Sequence, residues 1–144
     1  MSALPKKILV PVDGSEHALH ALDFAIGLAK AAAGARIELV NVQVPVGQAV
    51  SMFVASAEIK GYHREEGMKV LGPAIEAAKK SSVPFAHHIG VGQPGVTIAA
   101  FAEQLGCDHI VMGTRGLGAA ARFVLGSCAS EVAHESKVSI TLVK

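Results

Sequence analysis

The chain has 144 residues, of which 51% are hydrophobic and 17% charged, with a formal net charge of +1. That length suits a single domain spanning residues 1–144, and the composition excludes an intrinsically disordered chain. The near-neutral balance gives no electrostatic case for nucleic acid, and the absence of tryptophan removes the strongest stacking platform for single strands.

Ile8 to Val12 is a continuous apolar run, as suits a strand buried on both faces of a parallel sheet. It stops at Asp13-Gly14-Ser15-Glu16, where Ser15 is placed to cap a helix and Glu16 suits the positive end of its dipole. Ala18, Leu22, Ala25, Ile26 and Ala29 recur at helical spacing, and Gly34 is placed to end that helix as its C′ residue. Arg36 to Val42 reads as the second strand, and residues 43–52, with Pro45 and Gly47, as a loop. From Val54 to Lys80 the pattern is helical. A kink or break is expected near Gly72-Pro73, because proline lacks an N–H and crowds the preceding turn. Val83 to Val91 is the third strand. Pro94 opens the next helix at its first position, Ile98, Ala99, Ala102 and Leu105 mark its buried face, and Gly106 closes it. Asp108 to Met112 is the fourth strand, and Cys128 to His134 a helix with Ser127 as its N-cap. The last strand runs from Val138 to Val143, and its alternation of apolar residues with Ser139 and Thr141 predicts one wetter face. Regular alternation of strand and helix implies an α/β fold, with a parallel five-stranded sheet and helices on both faces.

Between the fourth strand and the last helix lies Gly113-Thr114-Arg115-Gly116, then nine residues, then Gly126-Ser127. Glycines at a strand end let another group approach without a Cβ in the way. A helix start offers free N–H groups and partial positive charge. Together they suit phosphate. Turn glycines alone are the plainer reading, but the strand before and the helix after favour phosphate. Asp13 has two readings on residue type alone: a turn residue accepting local N–H bonds, or a carboxylate for a sugar hydroxyl.

The spacing Gly-x2-Gly-x9-Gly-Ser, met here as Gly113, Gly116, Gly126 and Ser127, resembles the nucleotide-binding signature of the universal stress protein family, in its ATP-binding branch. The resemblance covers essentially the whole chain. It implies a Rossmann-like open sheet of order 3-2-1-4-5, in which Asp13 and Gly113 to Gly116 line one crevice where the order reverses. Gly113, Gly116, Gly126 and Ser127 are then the phosphate contacts, with Thr114, Arg115 and Cys128 in the same loop and helix start. Pro11-Val12-Asp13 matches the family's first-strand segment, whose Asp bonds the ribose. By the same match Val42 offers backbone groups to the adenine edge. Val12 and Met112 would touch the base, with a place in the core as the alternative for both. Arg115 and Arg122 are cations that can neutralise phosphate charge. Ser127 joins capping with contact to phosphate or Mg²⁺.

The implied ligand is ATP or ADP, with Mg²⁺ carried on the phosphates, and the implied assembly is a homodimer through the C-terminal strand. That strand departs from the family, where Cys-Pro or Ala-Pro usually opens it; here Lys137-Val138-Ser139 stands in its place. His17, His20 and Asp23 share a helical face but lack a diagnostic metal spacing, and His87 and His88 point to opposite sides of a strand. Cys107 and Cys128 read as reduced thiols. With no apolar stretch long enough to span a bilayer and no export core after Lys6-Lys7, a cytoplasmic location is expected.

The implied role is a small stress-response regulatory module, at most a weak ATPase. One alternative is an ATP-using enzyme of related architecture, such as a pyrophosphatase-type adenylating protein. Those carry Ser-Gly-Gly after the first strand, whereas this chain has Pro11-Val12-Asp13-Gly14-Ser15. A nucleotide-free dimeric interaction protein is the other alternative, and the intact glycine signature argues against it.

Overall fold

The computed structural model of the chain describes residues 4–114 and 125–144. Strands β1 (Lys7–Pro11), β2 (Arg36–Gln43), β3 (Phe85–Val91), β4 (His109–Gly113) and β5 (Ser139–Val143) form one parallel sheet in the order β3-β2-β1-β4-β5. This is the Rossmann-like order expected. β1 is central, and Ile8, Leu9 and Val10 are wholly buried, as an uninterrupted apolar run predicts for a strand covered on both faces.

Successive side chains alternate between two cores. Ile8, Val10, Ile37, Leu39 and Val111 face α1 (Glu16–Ala31) and α3 (Ser56–Ser81), meeting Leu22, Ala25, Leu71, Ala74 and Ala78. Leu9, Val40, Ile110 and Met112 face α4 (Pro94–Gln104) and α5 (Ser127–Glu135), meeting Ile98, Ala102, Ala129 and Val132. Ser15 caps α1 as expected, its Oγ accepting from Ala18 N at 3.2 Å. Gly106 closes α4 in the left-handed region at φ +70°. Its N–H donates to Glu103 O and that of Cys107 to Ala102 O, the paired bonds of a Schellman end.

Several expectations are corrected. Residues 43–52 are not a plain loop, because α2 (Gln48–Phe53) forms within that stretch and on to Phe53, without burying a residue. The break expected near Gly72 is absent: α3 continues through Pro73. Leu71, Ala74, Ile75 and Ala78 are buried on both sides of the proline, so packing outweighs the one hydrogen bond it removes. Gly34 does take a left-handed φ of +89°, but α1 is capped at Ala32, so Gly34 lies one residue beyond C′. Gly126, not Ser127, is the N-cap of α5. Strand ends differ by one or two residues; Pro84 precedes β3 and accepts from Ile37 N through its carbonyl. The last strand alternates less cleanly than predicted, since Leu142 is exposed as well as Ser139.

One buried charge interrupts the apolar pattern. Glu38 on β2 is 4% exposed; its Oε2 accepts from Arg36 Nε at 3.0 Å and its Oε1 lies 3.1 Å from His88 Nε2. A carboxylate out of water survives only with such partners.

α3 comes close to the sheet at Gly67, where an added Cβ would lie 2.8–2.9 Å from three side-chain atoms of Ile89. Gly61 on the same helix has open space around it. Gly67→Ala is therefore expected to lower stability by about 1–3 kcal/mol through overpacking. Gly61→Ala should raise it by about 0.5–1 kcal/mol through the unfolded chain's entropy. Urea denaturation checks both, and shifts of the same sign would contradict this account of the helix.

Candidate functional site

Parallel strands all end on one side, so β1, β2 and β4 deliver their following residues to one edge. β1 ends at Pro11, paired with Val40. Val12 continues it by one bond, its N–H donating to Val40 O at 2.8 Å. Val40 therefore directs its backbone groups toward β1, and Val42, two residues on, directs its own the same way, past the end of β1. Gln43 O accepts from Gly92 N on the β3 side, which confirms the alternation. Val42 is the residue expected at the adenine edge, and this is where the structure places its backbone groups.

Asp13 makes the turn contacts of the plainer reading: its Oδ1 accepts from Ser15 N at 3.0 Å and from Ser15 Oγ at 2.6 Å. These bonds draw the carboxylate over the start of α1, and Gly14 follows at φ +89°. Below it, Asn41 Nδ2 donates to Val12 O at 2.7 Å, and Gln43 Nε2 to Asn41 Oδ1 at 2.6 Å. Asn41 and Gln43 were missed by the reading of the residues. Their signal was the polar alternation Val40-Asn41-Val42-Gln43 at the end of an otherwise apolar strand. Val12 and Met112, at 3% and 5% exposure, belong to the two cores.

On the other side of the reversal, Thr114 N donates to Val143 O and Gly126 N donates to Thr114 O. The ends of β4 and β5 and the start of α5 are thus tied at one point. Arg115, Gly116 and Arg122 lie outside the described residues. α5 starts at Ser127 with no side-chain cap among the described residues. By contrast α1 has Ser15, and Val96 N in the first turn of α4 donates to Glu131 Oε1 at 3.2 Å. A helix start whose N-cap is a glycine, with no side-chain cap among the described residues, is chemically matched to an anion.

The two halves meet electrostatically. The Cys128 thiol, in the first turn of α5, is pushed up to about 11 by burial, with the Asp13 and Glu131 carboxylates adding to the effect. Asp13 is thus close enough to α5 for its charge to be felt there. Cys107 is also pushed up to about 11, by burial and then Glu38, with no contribution from Asp13. Iodoacetamide should accordingly alkylate both thiols slowly at pH 8, faster as pH rises toward 11. Asp13→Asn removes one of the carboxylates, so the rise at Cys128 should move to lower pH while Cys107 stays unchanged. Mass spectrometry of the two peptides reads this directly; an unmoved Cys128 would mean that Asp13 does not face α5.

The universal stress protein family matches this chain over residues 5–144. Universal stress protein MJ0531 of Methanocaldococcus jannaschii is 34% identical over 144 residues, covering 98% of this chain and 83% of that protein. Among solved structures, hypothetical protein MJ0577 superposes with a TM-score of 0.85 at 28% identity, covering 99% of this chain and 97% of the other. A universal stress protein in complex with cAMP superposes with a TM-score of 0.75 at 25% identity, covering 99% of each chain. Matched by the family over residues 5–144, and 34% identical to a family member over 98% of its length, this chain belongs to the universal stress protein family.

Proposed function

We propose that the protein binds ATP, with Mg²⁺ carried on the phosphates, in the crevice between the β1 and β4 loops. The observation that carries this reading is the placement of the Asp13 turn after β1, and of an α5 start tied to the β4 end, on either side of the point where the strand order reverses. One face of the crevice offers a carboxylate suited to a sugar hydroxyl, the other N–H groups suited to phosphate. A relative with the same fold was solved with cAMP, which supports an adenine nucleotide. In this reading Asp13 bonds the ribose, and the Val42 backbone meets the adenine edge. Pro11, Val12 and Met112 form the apolar floor. Gly113, Thr114, Gly126, Ser127 and Cys128 surround the phosphates, and the Ser127 hydroxyl is the protein group suited to the metal. Arg115 and Gly116 join them on the strength of the sequence motif.

The biological role we infer is that of a cytoplasmic regulatory module in a stress response, its state set by nucleotide occupancy. Two unpaired cysteines suit a reducing compartment. No helix among the described residues is long and apolar enough to cross a membrane.

Calorimetry tests the site from both ends. Asp13→Ala should weaken ATP by about 1–3 kcal/mol, the effect of removing a charge-assisted hydrogen bond, and hardly affect inorganic triphosphate. Gly126→Val should weaken both, since it places a side chain where the phosphates lie. Equal losses of the two ligands in Asp13→Ala would remove its ribose role, and a wild-type protein that binds neither would overturn the reading.

We also infer a homodimer in which two copies of β5 pair antiparallel. Among the described residues β5 is an edge strand bonded only to β4, and an edge leaves a row of backbone groups open to pairing. A two-fold axis makes such a contact close at two copies. No proline interrupts Ser139–Val143, so no donor is missing from the ladder. Light scattering at micromolar concentration is expected to give twice the monomer mass; the monomer mass itself would refute the pairing.

A further inference from the structure

His63 lies on the inner face of α3 and is 4% exposed, yet neither ring nitrogen has a hydrogen-bond partner among the described residues. Buried polar side-chain atoms in native proteins are nearly always paired. A neutral imidazole brings one donor and one acceptor, so this ring leaves both unsatisfied.

Its neighbours fix its place. Gly67, one turn further along α3, packs on Ile89. Ile89 is in register with Asn41, whose side chain holds the Val12 carbonyl. α3 follows β2 and leads into the parallel strand β3, so it runs against the strands and begins at their carboxyl ends. His63 therefore stands about 6 Å beyond the level of Asn41, out toward Gln43. The β1–α1 turn touches the same helix further down, where Gly14 lies against Val70. His63 thus stands on the α1 and α3 face of the sheet, at the level of the carboxyl ends of β2 and β3, the strands on which α3 packs. Val42, the residue expected at the adenine edge, lies at that end of β2.

We propose that His63 recognises the sugar–base end of the bound nucleotide, donating or accepting a hydrogen bond there. This rests on the nucleotide reading above and adds a residue that the glycine motif does not contain. The ring reaches the ligand by a turn about χ1 and χ2. Such a change costs little beside the penalty of leaving two ring nitrogens unpaired. A role in packing alone would favour an apolar side chain of similar size at this position, and that contrast makes the proposal testable.

His63→Leu should fold with unchanged or raised thermal stability, because it removes unsatisfied buried groups. Its affinity for adenosine and for ATP should nevertheless fall about tenfold, the loss of one hydrogen bond from a desolvated site, while inorganic triphosphate binds as before. In the wild-type protein, ¹⁵N signals of the His63 ring should shift on titration with adenosine. If His63→Leu does not fold, that wild-type titration decides alone. A wild-type protein that binds adenosine while the His63 signals stay fixed overturns this inference and leaves the nucleotide reading standing. Equal adenosine affinity in a folded His63→Leu does the same. A wild-type protein that binds no adenine nucleotide or adenosine overturns both.

Discussion

Right-handed crossover between parallel strands is the constraint on which this molecule is built. From β1 the chain steps outward to β2 and then β3, and both connecting helices, α1 and α3, lie on one face. It then crosses back to β4 and steps out to β5, so that α4 and α5 lie on the other. The change of direction forces the change of face. Where it happens, the segments after β1 and β4 diverge to opposite sides, and a crevice opens between them. The position of the site is thus a consequence of handedness before any functional side chain is placed.

The helix starts at that edge are satisfied in different ways, and the difference assigns chemistry. Ser15 caps α1. Glu131, reaching across from α5, accepts from Val96 N and Gln93 Nε2 at the start of α4. That reach is possible because residue 95 is glycine; a Cβ there would meet the Glu131 side chain. The bond also anchors the second turn of α5 against α4, so the uncapped first turn is held on a rigid support. Positive ends that already have a carboxylate or hydroxyl are structural. Among the described residues α2, α3 and α5 all start without a side-chain cap. What sets the α5 start apart is its place beside the β4 end, which under the proposed reading suits a ligand's charge.

The buried polar side chains separate along the same line. Glu38 sits deep in the sheet with Arg36 and His88 as partners, and its role is complete within the fold. Asn41 is equally buried and also satisfied, but it spends its bonds on holding the Val12 carbonyl, one residue before Asp13. His63 is buried without such partners among the described residues. Moving from the middle of the sheet toward its carboxyl edge, polar groups pass from the internal pairing of Glu38 to the support that Asn41 gives the Val12 carbonyl.

Much of the fold was legible in the residues, because the signals that set it are local. The apolar run Ile8-Leu9-Val10, the Ser15 cap and the Gly106 close each depend on neighbours within a few positions. The glycine motif and Asp13 were legible for the same reason, as was Pro94 at the start of α4. What the tertiary structure decided depends on contacts between distant segments. Packing around Pro73 carried α3 through a residue that local rules would break. The Thr114–Gly126 bond fixed Gly126 as the N-cap of α5, one residue before the serine that propensity favoured for that place. Asn41 under Val12, the Asp13 charge acting on Cys128 and Gly67 of α3 against Ile89 of β3 all join residues far apart in the chain. No local period or capping rule carries that information, because it arises only when burial brings the segments together and each buried polar group must find its partner.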